Sequence, residues 1–138
     1  MNLNKSLNEL EGKIFSERPE FGSYVVQKTY ELLDKKLKDY TPADLRLMIG
    51  QNFGLKYLIP MAIELLKKNP LIEATFYEGD LLTTILNVDK TFWKENPEYI
   101  NDIQQIFSGS IDIKSLENNP QYRQLYRSYL NFFDQNLQ

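Results

Sequence analysis

Three carboxylates lie close together in the sequence and are the side chains best suited to chemistry. Glu73, Glu78 and Asp80 fall in one short stretch. A fold that brought their oxygens together would suit a divalent cation or the hydrolysis of a glycosidic bond. Their spacing matches no motif for either chemistry. A carboxylate-based metal hydrolase is therefore an alternative that the sequence leaves open without favouring it.

The composition excludes most other catalytic chemistry. The 138 residues include no cysteine and no histidine. This removes thiol catalysis and disulfides, and also the commonest general base and the commonest ligand of transition metals. The sequence also lacks the glycine-rich loops that bind phosphate and the loop that binds calcium. We predict a protein that is not an enzyme and that holds no cofactor.

The acidic side chains are concentrated in one third of the chain. Residues 69–112 carry eight acidic and two basic side chains, a net charge of −6, whereas the whole chain has a net charge of −3. Such a segment is either an ordinary solvated surface or an interface for a basic partner, whose approach it would accelerate. Direct binding to nucleic acid is disfavoured, because no basic stripe outweighs this charge.

Helices must position these side chains, and the clearest helical signals lie in residues 41–66. Thr41 is a good N-cap, Pro42 suits the first helical position, and Asp44 completes a pattern like a capping box. Gly50 and Gly54 then bracket a break in the helix. We expect a positive φ or a close approach of the backbone at this break.

The helix after this break, over about residues 55–68, is apolar almost all round. A helix of that kind is usually the central one of a soluble domain, so we expect the other helices to pack around it. Pro60 lies inside it, which predicts a bend near Lys56 or a helix that begins only at Ile59.

The residues before the central pair predict two further helices. A short helix capped near Asn4 precedes a loop whose Ile14, Phe15 and Phe21 would pack on the core. Ser23 caps a longer helix that runs to about Leu37.

A cluster of lysines closes that longer helix. Lys35, Lys36 and Lys38 would lie in its last turn, where cations complement the helix dipole. Contact with a phosphate or a nucleic acid is the alternative role for the cluster, and the pattern favours it less.

Residues 69–119 predict short helices joined by polar segments. Residues 71–77 alternate weakly, as in an isolated strand, but they have no clear partner strand, so we expect an extended connection. Gly79 and Asp80 open a short helix with Asp80 in its first turn, and Asp89 caps one further turn. The next helix ends at Gly109, and residues 108–119 form a polar linker.

The last helix, over about residues 120–137, carries an aromatic stripe that we interpret as core rather than as a platform for a ligand. The total is six or seven helices with short connections, which predicts one all-α domain over residues 1–138. No apolar run is long enough to span a membrane. The first residues lack the apolar region of an export signal, so we expect a cytoplasmic protein.

Short motifs follow one another in order through the centre of the chain: Asp44-Leu45-Arg46, Ile49-Gly50-Gln51, Gly54-Leu55, Tyr57-Leu58-Ile59-Pro60, Asn69-Pro70, Tyr77, Gly79-Asp80-Leu81-Leu82 and Phe92-Trp93. As an ordered series they resemble the small immunity proteins of contact-dependent growth inhibition (CDI) systems. The likeness covers about residues 23–107, and the helix over residues 120–137 lies outside it.

This resemblance implies a cytoplasmic bacterial protein that binds and neutralises the C-terminal toxin domain of a cell-surface effector. In this class the toxins are often nucleases, and protection comes from masking the active site or the substrate-binding surface. Because a nuclease surface that holds a phosphate backbone is basic, the acidic segment is the candidate toxin-binding surface. Its candidate residues are Glu73, Glu78, Asp80, Asp89, Glu95, Glu98 and Asp102.

Two alternatives remain beside this interpretation. A capping role in the first turn of its helix is the alternative for Asp80, since the family motifs are mostly apolar, glycine or capping residues. For the whole protein, the alternative from another class is a helical adaptor that binds a different partner through the aromatic helix at residues 120–137.

Overall fold

The computed structural model describes residues 2–12 and 22–136, and its regular elements in these ranges are helical. The expected all-α class is confirmed. These ranges contain nine α-helices rather than six or seven, and none of them is both long and apolar enough to cross a bilayer. The helices are α1 (Leu7–Glu11), α2 (Tyr24–Leu33), α3 (Pro42–Gly50), α4 (Leu55–Lys68), α5 (Asp80–Leu86), α6 (Lys90–Glu95), α7 (Glu98–Ser110), α8 (Ile113–Asn118) and α9 (Arg123–Asn136), with 3-10 turns at Leu37–Asp39 and Pro120–Tyr122.

Side-chain caps fix the starts of α2 and α3, as the sequence predicts. The Thr41 hydroxyl accepts a hydrogen bond of 3.1 Å from the Asp44 N–H, and the Asp44 carboxylate accepts one of 3.0 Å from the Thr41 N–H. At the start of α2, the Ser23 hydroxyl accepts a hydrogen bond from the Val26 N–H. Each cap satisfies a backbone N–H that has no partner inside its helix.

The N-terminal helix has a different cap from the one expected. The Ser6 hydroxyl accepts a hydrogen bond from the Glu9 N–H, and the Glu9 carboxylate accepts one from the Ser6 N–H. This reciprocal pair satisfies two backbone donors at once, which is why α1 starts after Ser6 and not near Asn4. The loop predicted to pack on the core involves residues 13–21, which lie outside the described part of the chain.

The C-terminal end of α2 comes earlier than predicted, at Leu33 instead of near Leu37. Leu37 is buried, as its apolar spacing requires, but its N–H donates to the Lys5 carbonyl at 3.0 Å. The Lys38 N–H likewise donates to the Leu3 carbonyl at 2.9 Å. These contacts with the N-terminal segment replace hydrogen bonds of α2, so the lysine cluster does not form the last turn of that helix.

The break between α3 and α4 depends on Gly54. Its φ of +61° lies in the left-handed region, and a Cβ at this position would lie 2.7 Å from Leu7 Cδ2. Both the turn and the close approach therefore require glycine. The Leu58 N–H donates to the Gly54 carbonyl at 2.9 Å, so α4 begins directly after the glycine. The predicted start at Ile59 is wrong, and Pro60 lies inside the helix.

The buried hydrophobic side chains form one cluster to which each of the nine helices contributes. α4, predicted as the central helix, packs against α3, α5 and α7 and has five of its fourteen residues buried. The most completely enclosed helix is α5, in which six of seven residues are buried, and it packs mainly against α3 and α9. The core therefore fixes the position of Asp80, the first residue of α5.

The segment predicted to be a polar linker, residues 108–119, contains a helix. α7 continues to Ser110, and α8 follows with Leu116 buried. The Asp112 carboxylate caps α8 by accepting a hydrogen bond of 3.1 Å from the Lys114 N–H. The linker prediction is wrong because a helix of six residues with one fully buried side chain has almost no periodic signal.

The aromatic stripe predicted for the last helix packs on the core only in part. Tyr122 and Leu125 are buried and Tyr129 and Phe133 are half-buried, whereas Leu130, predicted on the same face, is 48% exposed and the buried ring is that of Phe132, outside the predicted stripe. Phe132 is buried and meets the ring of Trp93 edge-on, with 5.2 Å between the ring centres. Tyr129 packs on Phe107 of α7 with 4.7 Å between the ring centres. α9 thereby covers α6 and α7 and holds the C-terminal part of the chain against the region that contains the acidic segment.

Candidate partner-binding surface

The carboxylate of Asp80 organises the loop that precedes it. Its Oδ1 accepts a hydrogen bond of 2.7 Å from the Ala74 N–H, and its Oδ2 accepts hydrogen bonds of 2.9 Å and 2.8 Å from the N–H groups of Thr75 and Phe76. Gly79, with a φ of +86°, makes the turn that brings the loop back over this carboxylate. Residues 73–78, here called the 73–78 loop, are thus wrapped around one buried side chain.

Asp80 is therefore not part of an exposed acidic surface. It is only 2% exposed, and its oxygens face backbone N–H groups. Burial by itself would raise the pKa of Asp80, but the hydrogen bonds from Phe76, Ala74 and Thr75 outweigh it and hold the pKa below its usual value. Of the two roles that the sequence suggests, the structural one fits these contacts, though the carboxylate holds a loop rather than the end of its own helix.

The 73–78 loop is also held from the side of the C-terminal segment. The Tyr122 hydroxyl donates to Glu78 Oε2 at 2.8 Å, and the Tyr77 hydroxyl bonds to Gln124 Oε1 at 2.7 Å. The hydrogen bond to the Glu78 carboxylate raises the pKa of Tyr122. Neither an isolated strand nor an extended connection describes residues 71–77, because the segment closes on itself with an antiparallel bridge between Glu73 and Glu78.

Phe76 projects from this loop into solvent. Its side chain is 71% exposed, although its N–H is fixed by Asp80. The guanidinium of Arg46 lies 4.7 Å from the centre of the Phe76 ring, and Arg46 Nε donates to the Thr75 hydroxyl at 2.9 Å. The loop therefore presents a large apolar ring in a defined position.

Glu73 and Glu78 face each other across the bridge, and both are exposed. They are the two sequence candidates that the fold brings together at the loop. Asp80 does not join them as a third ligand, because its oxygens are bonded to the loop backbone. Within residues 2–12 and 22–136, no group of three acidic side chains converges in a way that would hold a metal ion.

The remaining four candidates lie on α6 and α7. Asp89 is the exposed N-cap of α6, and its hydrogen bonds with Thr91 lower its pKa. Asp102 is half-buried and forms an ion pair of 3.1 Å with Lys67 of α4. That hydrogen-bonded pair raises the pKa of Lys67.

Glu95 and Glu98 are the free charges of this second group. Both are exposed, and neither has an ion-pair partner among the residues that the structure describes. Glu95 ends α6, and Glu98 begins α7 three residues later, one helical turn before Asp102. These two carboxylates can meet a cation on a partner without first breaking a bond within the protein.

A family model described as CDI immunity proteins matches residues 9–103, which is more than half of the chain. The chain belongs to this family. The predicted resemblance to CDI immunity proteins is thereby confirmed. No curated protein and no solved structure gives a significant match.

The family match covers one part of this CDI immunity protein and leaves its C-terminal helices outside. It includes the 73–78 loop, Asp80 and α6, and it ends within α7, so α8 and α9 lie beyond it. Tyr122 and Gln124 belong to this outer part, yet they bond directly to the loop. The matched and unmatched parts of the immunity protein therefore meet at the loop.

A groove of about 440 Å³ lies beside the aromatic helix of the immunity protein, lined by Gln104, Phe107, Ser108, Ile113, Tyr129 and Phe133. It is the surface on which the adaptor alternative would depend. Other apolar side chains of α9 are not accessible to a partner, however, because Leu125 and Phe132 are buried in the core. Deleting residues 115–138 to test the adaptor would uncover Trp93, so substitutions in the groove are the better probe.

Sequence reasoning missed the exposed ring of Phe76 and the side chains that hold its loop. The contacts join Arg46 to Thr75, Tyr77 to Gln124 and Glu78 to Tyr122, positions 29 to 47 residues apart. No local pattern reports contacts over such separations. The one available signal was a pair of adjacent aromatic residues, Phe76 and Tyr77, between two glutamates in a segment without helical spacing.

Proposed function

We propose that this protein binds the C-terminal toxin domain of a CDI effector in the cytoplasm and neutralises it. It acts without catalysis of its own, by covering the active site or the substrate-binding surface of the toxin. The observation that carries this proposal is the family match over residues 9–103. Masking requires only a stable complementary surface, which suits a helical chain that lacks histidine and cysteine.

We further propose that the toxin is a nuclease with a basic substrate-binding surface. A nuclease must hold a phosphate backbone, which it does with lysine and arginine side chains. Exposed carboxylates at Glu73, Glu78, Glu95 and Glu98 offer that surface a substitute for the phosphates. Complementary charge of this kind increases the rate of association and disfavours wrong partners.

Co-expression tests the main proposal. The toxin domain encoded by the neighbouring gene is expressed in bacteria with and without this protein, and the two purified proteins are analysed by size-exclusion chromatography. We expect the immunity protein to rescue growth and to co-elute with the toxin domain. Absence of both rescue and co-elution would contradict the proposal.

A cleavage assay tests the nuclease part separately. The purified toxin domain is incubated with RNA and with DNA while the immunity protein is added up to and beyond equimolar amounts. We expect cleavage of one substrate and its loss near equimolar immunity protein, as masking requires. A toxin domain that forms the complex but cleaves neither substrate would leave the immunity role in place and refute the nuclease assignment.

A further inference from the structure

We propose that Phe76 is the anchor of the toxin complex and that it enters an apolar pocket on the toxin domain whose rim is basic. The inference rests on the proposed function and adds to it the part of the surface that makes the decisive contact. The exposed carboxylates of the acidic segment attract a basic partner electrostatically, whereas Phe76 in the 73–78 loop makes a specific contact with it.

The exposure of Phe76 is the first argument. Its side chain is 71% exposed, whereas the hydrophobic residues around the loop, such as Leu71, Ile72 and Ala74, pack against the core. A phenylalanine held in water contributes nothing to the hydrophobic core of its own chain. Large aromatic side chains that are withdrawn from water on binding are among the residues that dominate interface energies.

The rigidity of the loop is the second argument. The Asp80 carboxylate fixes the backbone of residues 74–76 through three hydrogen bonds, and the guanidinium of Arg46 fixes one face of the Phe76 ring. Arg46 is itself oriented by the Thr75 hydroxyl. Binding therefore requires little further ordering of the loop, and a preorganised anchor loses less entropy than a mobile one.

The charges of the loop indicate the chemistry of the partner, because its two exposed glutamates outnumber the half-buried Arg46, whose guanidinium covers one face of the ring. Glu73 and Glu78 are exposed and face each other at the two ends of the loop, with Phe76 between them in sequence. The Tyr122 hydroxyl holds the Glu78 carboxylate in place. An apolar pocket bordered by lysine or arginine would match this arrangement, because the ring would fill the pocket while the carboxylates meet its rim.

Alanine substitution of Phe76 tests the anchor, with Tyr24→Ala as the matched control. Tyr24 is an aromatic residue of similar exposure, 76%, on α2. The dissociation constant for the purified toxin domain is measured by surface plasmon resonance with the full-length immunity protein. We expect Phe76→Ala to weaken binding by at least about 30-fold, mainly through faster dissociation, and Tyr24→Ala to stay within about threefold of the original protein.

The outcomes separate this inference from the proposed function. If the original protein binds and Phe76→Ala binds within about threefold of it, the anchor is wrong and the immunity role stands. If Tyr24→Ala weakens binding as much as Phe76→Ala, the effect is not specific to the loop and the anchor is again wrong. If the original protein itself does not bind, the proposed function fails and takes this inference with it.

A second variant tests the basic rim of the pocket. Glu73→Lys changes the charge beside Phe76 without removing the partner of Tyr122. We expect slower association at low salt, with the difference from the original protein much reduced at about 0.5 M salt, where exposed charges are screened. An association rate that is unchanged at low salt would refute the basic rim of the pocket. The apolar pocket itself is tested by Phe76→Ala.

Discussion

Lys35 Nζ lies 2.7 Å from Asp44 Oδ2, across the turn that joins α2 to α3. The same carboxylate oxygen accepts a hydrogen bond from the Thr41 N–H, so one buried group both caps α3 and ties it to the end of α2. The sequence suggests a helix-dipole or phosphate role for this lysine. The structure instead makes it the counter-charge of a buried carboxylate.

Removing this counter-charge should destabilise the protein. We expect Lys35→Met to lower the free energy of unfolding by about 1–2 kcal/mol, because Asp44 stays buried without its cation while the exposed part of the lysine moderates the loss. Urea unfolding followed by circular dichroism measures the change. Lys36→Met is the control, since Lys36 is exposed and has no ion pair in the described part of the chain. Equal effects of the two variants would contradict the role given to Lys35.

The carboxylate of Asp80 should be essential for the order of the 73–78 loop. Asp80→Asn replaces one acceptor oxygen by a donor, so we expect a loss of about 2–3 kcal/mol in the free energy of unfolding and faster amide exchange at residues 74–76. Hydrogen–deuterium exchange with mass spectrometry measures the second effect. Asp89→Asn makes the same change at an exposed N-cap, where the amide oxygen still accepts, and should be nearly neutral. Unchanged exchange in the loop of Asp80→Asn would refute the contact scheme.

The same residue predicts how stability depends on pH. The folded protein holds the pKa of Asp80 below its usual value, so the folded state favours the carboxylate. Its stabilisation is complete above the unfolded pKa of about 4 and is lost as the pH falls through the lower folded value. The stability gap between the original protein and Asp80→Asn should therefore narrow as the pH falls below about 5. Urea midpoints over this range check the sign, and a gap that widens on acidification would contradict it.

Two glycines should respond in opposite ways to the same substitution. Gly54→Ala places a Cβ at a φ of +61° and 2.7 Å from Leu7 Cδ2, so we expect a loss of about 2–4 kcal/mol. Gly109 lies in α7, and a methyl group added there would have no neighbouring atom within 4 Å among the described residues. Gly109→Ala should therefore leave stability unchanged or raise it by up to about 1 kcal/mol. Thermal unfolding of both variants tests the contrast, and similar melting temperatures would refute it.

Charge reversal on α6 and α7 should slow capture of the toxin domain. We expect Glu95→Lys with Glu98→Lys to reduce the association rate several-fold at low salt, and salt to slow the original protein. Stopped-flow fluorescence with the purified toxin domain measures both. Asp102, another candidate on α7, needs separate treatment because its reversal would set two cations together at Lys67. Association rates that change neither with charge reversal nor with salt concentration would contradict the proposal that electrostatic attraction speeds binding of the toxin.

The sequence predicts best those features that depend on neighbours in the chain. The caps at Ser23, Thr41 and Asp89 are correct because each cap bonds to an N–H two or three residues away. The end of α2 is wrong because Leu37 has helical spacing but bonds to the N-terminal segment. α8 is missed because it offers a single buried side chain, Leu116.

The sequence predicts the negative charge of the candidate surface but not how its side chains are arranged in space. Counting acidic side chains locates the segment, and it includes both the exposed Glu95 and the buried Asp80. The two residues differ in exposure because the 73–78 loop folds over the Asp80 carboxylate, and contacts with Tyr122 and Gln124 hold the loop there. A carboxylate and an N–H four to six residues apart give no pattern that distinguishes this arrangement from an ordinary helix start.

The hydrogen bonds from Tyr122 to Glu78 and from Tyr77 to Gln124 have a consequence for engineering specificity. A chimera that exchanges only residues 73–78 between two relatives would install the loop on foreign supports. Retargeting such a protein to another toxin requires grafting the loop together with Arg46, Tyr122 and Gln124, as a single transplanted unit drawn from three distant stretches of the chain.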